Sequence, residues 1–229
     1  GNVLLDRVAR ATIHVCTPDD YRHHREERME RIAQDIRDAG GRPYVVPEGG
    51  SNALGALGYL EAAQEIVDAM GGTEPTSVWL AVGSGGTLAG LALAFKALDV
   101  PFRAVGVPVC DDAPTFRAIV QRIAAEAHER FALPMITPED YDLIEGFQGR
   151  GYALTTEAEL TSILDALERD GLVLDHVYSG KAFAAFHKEA SAGSSEARQV
   201  FLHTGGIFGL GAAAAQIDQL KTSKGAHHT

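Results

Sequence analysis

The sequence predicts an α/β protein, a parallel sheet covered by helices on both faces. Three observations carry this. Apolar runs of strand length alternate with longer segments of helical periodicity along the chain. The connections between successive strands are long enough only for crossovers between parallel neighbours. Glycine-rich turns stand at Gly83 to Thr87, at Gly180 and at Thr204 to Gly206, each where a strand or loop gives way to a helix. In a parallel sheet such ends line one edge, where ligands bind.

Taken in order, residues 1 to 11 form a short amphipathic piece, and Thr12 to Cys16 reads as a strand. Thr17, Pro18, Asp19 and Asp20 supply an N-cap, a proline at the first helical position and early acids, so a helix is expected from Pro18 to about Ala39. Its charged residues form a solvated face; neighbours such as His23 and His24 diverge around a helix and do not make a metal site. Gly40-Gly41 ends that helix, and Arg42 to Pro47 reads as a short strand. A glycine-rich turn at 48 to 52 precedes a long helix through Met70, capped by Ser51 or Asn52.

The stretch Val78 to Gly90 organises the rest. Val78-Trp79-Leu80-Ala81-Val82 is an apolar, partly β-branched run and reads as a buried strand; it stops at Gly83-Ser84-Gly85-Gly86-Thr87, after which a helix runs to about Leu98. A strand is expected at Pro101 to Pro108, a helix at Ala113 to Arg130 and a short strand at Asp142 to Glu145. Thr156 with Glu159 makes a capping box for a helix to Arg169. Tyr178-Ser179-Gly180-Lys181 leads into a helix over 182 to 190, and Gly193 to Ser195 reads as a surface loop. Val200 to His203 is the last strand, and the turn after it starts the final helix. The tail, with His227 and His228, reads as a frayed terminus and not as a metal site.

The turn at Gly83 to Thr87 has the chemistry of a phosphate cradle. Gly83, Gly85 and Gly86 let backbone approach a ligand, the first amides of the helix point outward, and Ser84 and Thr87 can add hydroxyl donors. A dinucleotide fingerprint fits poorly, because Leu88 stands where its third glycine belongs and the next strand stays apolar until Asp111. A P-loop is excluded, since no lysine follows the glycines.

Composition bounds the partners. The chain has 31 acidic and 20 basic residues, a net charge of −11 that repels nucleic acid and anionic membrane surfaces. Small molecules are the expected ligands. No apolar stretch reaches the length of a membrane span, and no basic-then-apolar leader opens the sequence. Cys16 and Cys110 each end an apolar run, as buried thiols do, which fits a reducing cytoplasm.

Five stretches together resemble a known family: PEGGSNALGALGY (47 to 59), GSGGTLAGL (83 to 91), GYALTTEAEL (151 to 160), GLVLDHVYSGKAF (171 to 183) and FLHTGGIFGL (201 to 210). In order and spacing they are similar to the fold type II pyridoxal-phosphate enzymes, in particular the D-cysteine desulfhydrase and 1-aminocyclopropane-1-carboxylate deaminase group. The resemblance implies a tryptophan synthase β-like fold. Residues 53 to 220 would be the large cofactor domain, 1 to 52 the remainder of a smaller α/β domain with its crossover, and 221 to 229 a disordered tail. It implies pyridoxal 5'-phosphate as cofactor and a small amino acid as substrate. Gly83, Ser84, Gly85, Gly86 and Thr87 would cradle the phosphate. Tyr152 and Tyr178 would be the active-site tyrosines, with Ser179, Thr204 and Gly205 near the ring nitrogen. Deaminases of the group carry a glutamate where this chain has Ser179. A hydroxyl there makes a shallower electron sink, which suffices when a thiol leaves, so the desulfhydrase reaction is the expected one: β-elimination to pyruvate, ammonia and sulfide.

One departure is large. Members of the group carry an early lysine that anchors the cofactor as a Schiff base, in an asparagine-lysine-x-arginine-lysine context. The lysines here are Lys96, Lys181, Lys188, Lys221 and Lys224, and none has that context. Lys181 matches an ordinary lysine of the family and is expected to be structural. The resemblance starts at Gly1 with a segment interior to the usual chain, so the expectation is a fragment, one half of a split enzyme completed by another chain, or a non-catalytic relative. Homodimers are common in the group. His176 in place of a proline and Phe147 in place of a tyrosine are lesser departures.

Overall fold

The computed structural model describes residues 2–193 and 196–225. The chain divides into two compact units, Asn2–Gly50 and Ser51 onward.

The smaller unit is helical. Helix α1 covers Asn2–Val8 and α2 covers Pro18–Asp38. Thr17 caps α2 as its sequence requires, its hydroxyl accepting the Asp20 amide at 3.1 Å. A 3₁₀ turn at Glu48–Gly50 is tied back to α2 by Glu48, which accepts the Tyr21 hydroxyl at 2.7 Å and pairs with Arg25. His23 and His24 face different acids, Asp19 and Glu27. The strands expected at 12–16 and 42–47 are not formed. A strand needs a neighbouring backbone to take up its amides and carbonyls, and this unit offers none: Val15 is 85% exposed and Tyr44 70%. The local pattern for a strand is present without a partner.

In the larger unit, β1 (Thr76–Val82), β2 (Phe102–Pro108), β3 (Tyr141–Leu143) and β4 (Arg198–Phe201) form one parallel sheet in the order β3-β2-β1-β4. Alternation along β1 sends Val78, Leu80 and Val82 to one face and Trp79 to the other. On the first face lie α3 (Ala53–Met70), α4 (Gly86–Ala97) and α5 (Ala113–Phe131). On the second lies α7 (Ser179–Ser191), backed by α6 (Glu157–Asp170). The sheet is therefore covered on both faces.

Helix α4 is apolar nearly all round and buried at Gly86 and from Leu88 to Phe95, as suits the central crossover helix. Two glycines allow that burial. A Cβ on Gly106 of β2 would lie 2.7 Å from Leu88, and one on Gly90 would lie 2.8 Å from the Ala56 carbonyl of α3. The Thr156–Glu159 capping box of α6 is formed in both directions. After β4 the chain takes a 3₁₀ path over Ile207–Ala213 before α8 (Ala214–Gly225), so the last helix begins later than its glycine turn suggests. α8 also extends through 221–225, within the segment expected to be a frayed tail. Residues 226–229, with His227 and His228, lie outside the described residues, as do Gly1, Ser194 and Ser195.

Candidate active site

β1 is central, and its C-terminal end is where Gly83 to Thr87 turns the chain into α4. Gly85 takes φ +84, a left-handed conformation that glycine adopts without strain. It has no side chain to cap the helix, and the amides of Thr87 and Leu88 lie too early in α4 to find an acceptor within it. The dipole of a twelve-residue helix ends at the same place. These donors suit an anion.

Two residues of the preceding segment complete the turn. Ser51, only 5% exposed, donates its hydroxyl to Ser84 Oγ at 2.8 Å and accepts the Gly86 amide at 3.1 Å. That leaves the proton of Ser84 for an outside acceptor. The cap of α3 is instead Asn52, which accepts the Gly55 amide at 2.8 Å. Tyr59, from α3, accepts the Thr87 hydroxyl at 2.6 Å. A Cβ on Gly86 would fall 2.6 Å from Ser51 Oγ, so glycine is required for this contact.

The phenols come from the other side of the sheet. Tyr178 stands immediately before α7, and its ring presses on the turn so closely that a Cβ on Gly83 would lie 2.8 Å from Cε1. The Tyr152 hydroxyl lies 2.5 Å from that of Tyr178, with the rings edge to face. Burial, then the bond to Tyr152, pushes the Tyr178 phenol above its ordinary titration range. Tyr178 is therefore neutral at ordinary pH. Cys110 donates to the Gly83 carbonyl at 3.7 Å, closing the turn from the β2 side, and forms no disulfide.

Asp175 fixes Tyr178. Its carboxylate, 1% exposed, accepts the amides of Val177, Tyr178 and Ser179 at 2.7, 2.8 and 2.7 Å and the Ser179 hydroxyl at 2.6 Å. The buried charge is held by these four donors and by the positive end of α7. Ser179 Oγ also accepts the Asp175 amide at 2.8 Å, so both sides of its hydroxyl are engaged. Thr204 and Gly205 are exposed; their turn reaches the group through Gly206, where a Cβ would lie 2.7 Å from Asp175 Oδ1. Thus Gly83, Ser84, Gly85, Gly86, Thr87, Tyr178 and Tyr152 come together, while Ser179, Thr204 and Gly205 join them only through Asp175.

Lys181 is buried, and its ammonium donates to the carbonyls of Gln148 and Gly151 at 2.6 and 2.8 Å. Burial pulls its titration down, opposed by the more distant charge of Glu159. A cavity of about 230 Å³, lined by Lys96, Arg103 and Asp140 among others, lies by the N-terminal end of β2, away from the turn. Lys96 there pairs with Asp140, and Arg103 with Asp142. Among the described residues no three His, Cys, Asp or Glu side chains gather to hold a metal, and no helix is long and apolar enough to cross a membrane.

The family model for pyridoxal-phosphate-dependent enzymes matches residues 1–205. The chain belongs to that family. Among its relatives, a bifunctional D-cysteine desulfhydrase/1-aminocyclopropane-1-carboxylate deaminase of Arabidopsis thaliana is 32% identical over 98% of this chain and 56% of its own. A D-cysteine desulfhydrase of Klebsiella pneumoniae is 34% identical over 90% of this chain and 62% of its own. This pyridoxal-phosphate family member thus spans 56% and 62% of the length of those two relatives. A crystal structure of an ACC deaminase homologue superposes with a TM-score of 0.84 at 29% identity, covering 96% of this chain and 66% of that one. The cofactor suits the site. An uncapped turn of three glycines at a helix start, with a free serine proton, has the donor set that a phosphate ester takes.

Proposed function

We propose that the turn Gly83 to Thr87 holds the phosphate of pyridoxal 5'-phosphate, and that the chain is the cofactor-binding part of a lyase of the D-cysteine desulfhydrase type. Its substrate would be a small amino acid, cleaved by β-elimination to pyruvate, ammonia and sulfide. The observation that carries this is the Tyr178 ring packed on Gly83 with its hydroxyl 2.5 Å from Tyr152, one phenol on the turn and a second hydrogen-bonded to it. When bound, the cofactor supplies an electron sink for the substrate. The amides of Thr87 and Leu88 and the Ser84 hydroxyl bind the phosphate. Tyr178, kept protonated by burial, would give its proton to the departing sulfur, and Tyr152, more exposed, would restore it with a proton taken from solvent.

The lysine of the reaction is proposed to come from a complementing chain; a homodimer is the other assembly proposed. Of the lysines here, Lys96 pairs with Asp140, Lys181 is enclosed by carbonyls, and Lys188 lies over the Phe147 ring. Without that complement the chain would be a cofactor-binding subunit. A reducing cytoplasm is the proposed compartment. A second reading, a 1-aminocyclopropane-1-carboxylate deaminase-like reaction, draws on the Asp175 carboxylate, which takes the Ser179 proton and so makes the remaining lone pair of Ser179 Oγ a better acceptor for a protonated ring nitrogen.

The test is titration of the chain with pyridoxal 5'-phosphate followed by borohydride. Saturable binding that inorganic phosphate competes away, with no covalent label and no sulfide release until a lysine-bearing chain is added, supports the reading. Absence of saturable binding, or labelling of one of the chain's own lysines, overturns it.

A further inference from the structure

We propose that Lys181 is a positioning residue that sets the place of Tyr152. Tyr178 and Lys181 stand three apart at the start of α7, so their side chains share one face of its first turn. That face holds the loop 148–152 at two points: the Lys181 ammonium takes the carbonyls of Gln148 and Gly151, and the Tyr178 hydroxyl takes Tyr152. The loop supplies little of its own. Tyr152 is 57% exposed, and Gly149 and Gly151 both have positive φ. Packing therefore does not decide where the phenol goes. A long side chain that is 1% exposed and donates only to loop carbonyls does. It fixes the carbonyl of the residue immediately before Tyr152, one peptide from the phenol it places.

Any part Tyr152 plays in turnover rests on the proposed function; its placement by Lys181 does not. The test therefore uses no cofactor. In the unaltered chain the amides of Gly151 and Leu154 should exchange with solvent as slowly as those of the first turn of α7, and free exchange there overturns the proposal. In Lys181→Met the loop amides should exchange at least about tenfold faster than before at unchanged denaturant midpoint, and Lys181→Arg should restore part of the protection.

Phenolate absorbance gives the second readout. Tyr152→Phe should lower the titration of Tyr178 by removing their hydrogen bond, and Lys181→Met should lower it similarly, with no further change in the double variant. Additive shifts, or a Lys181→Met titration identical to the parent, would show Lys181 to be ordinary core. Should Lys181→Met fail to fold, exchange in the unaltered chain and the Arg variant still decide. If these readouts hold while pyridoxal phosphate does not bind, the proposed function fails and this placement stands.

Discussion

The hydroxyls of Tyr152 and Tyr178 lie 2.5 Å apart, joining an exposed loop phenol to one packed on the Gly83 turn. Tyr178 is the partner with the raised titration, from burial first and the shared hydrogen bond second. A phenol whose folded-state titration is raised adds stability that is complete below its unfolded value of about 10 and is lost as pH rises past it. The denaturant midpoint of the parent chain should therefore fall in alkali more steeply than that of Tyr178→Phe. Equal slopes would show that the phenol is not held as described.

Gly83→Ala should uncouple the phenol from the turn. The added methyl group meets the Tyr178 ring, which must swing away, while the amides of Thr87 and Leu88 are left in place. Phosphate affinity should then change little and phenol-dependent chemistry should be lost. Gly86→Ala does the reverse: its methyl group displaces Ser51, which carries the Ser84 hydroxyl with it. Losing one or two hydrogen bonds to a charged group, at about 1.5–3 kcal/mol each, predicts pyridoxal phosphate binding weakened at least about tenfold in a fluorescence titration.

What the sequence revealed of this site were its local parts. The Gly83 to Thr87 turn and the Thr156–Glu159 box lie within a few residues, where composition and spacing carry the information. Ser51 with Ser84 and Tyr59 with Thr87 are 33 and 28 residues apart, and no local pattern pairs them. Asp175 had a local signal, a carboxylate four residues before Ser179 at a helix start, but its burial comes from the Gly206 turn packed beside it. The strands expected at 12–16 and 42–47 failed in the opposite sense. Their β-branched and aromatic residues suit a strand, but a ladder needs a second backbone.

Gly90→Ala tests the packing that brings Tyr59 to Thr87. The methyl group would meet the Ala56 carbonyl at 2.8 Å and Tyr59 Cβ at 2.7 Å, and the first is backbone that cannot rotate aside. α3 and α4 must separate, at about 1–3 kcal/mol by analogy with overpacked cores. The denaturant midpoint should drop accordingly, and the Tyr59–Thr87 bond should weaken with it. An unchanged midpoint would mean that the helices do not cross this closely.

Asp175→Asn separates charge from shape at the base of Tyr178. The amide keeps one oxygen, which can accept from some of the four donors now on the carboxylate, but its NH₂ group faces amides that need an acceptor. Buried donors left unpaired cost about 1–3 kcal/mol each, and the start of α7 loses the negative charge that matches its dipole. A fall of about 2–4 kcal/mol in unfolding free energy is expected. Tyr178 should lose its fixed placement, and its phenol should titrate closer to an ordinary tyrosine. Asp175→Ala should be at least as damaging, since it removes the remaining acceptor as well. If Asn is tolerated with Tyr178 still titrating high, the hydrogen bonds rather than the charge hold the helix start, and the electrostatic account of Asp175 is wrong.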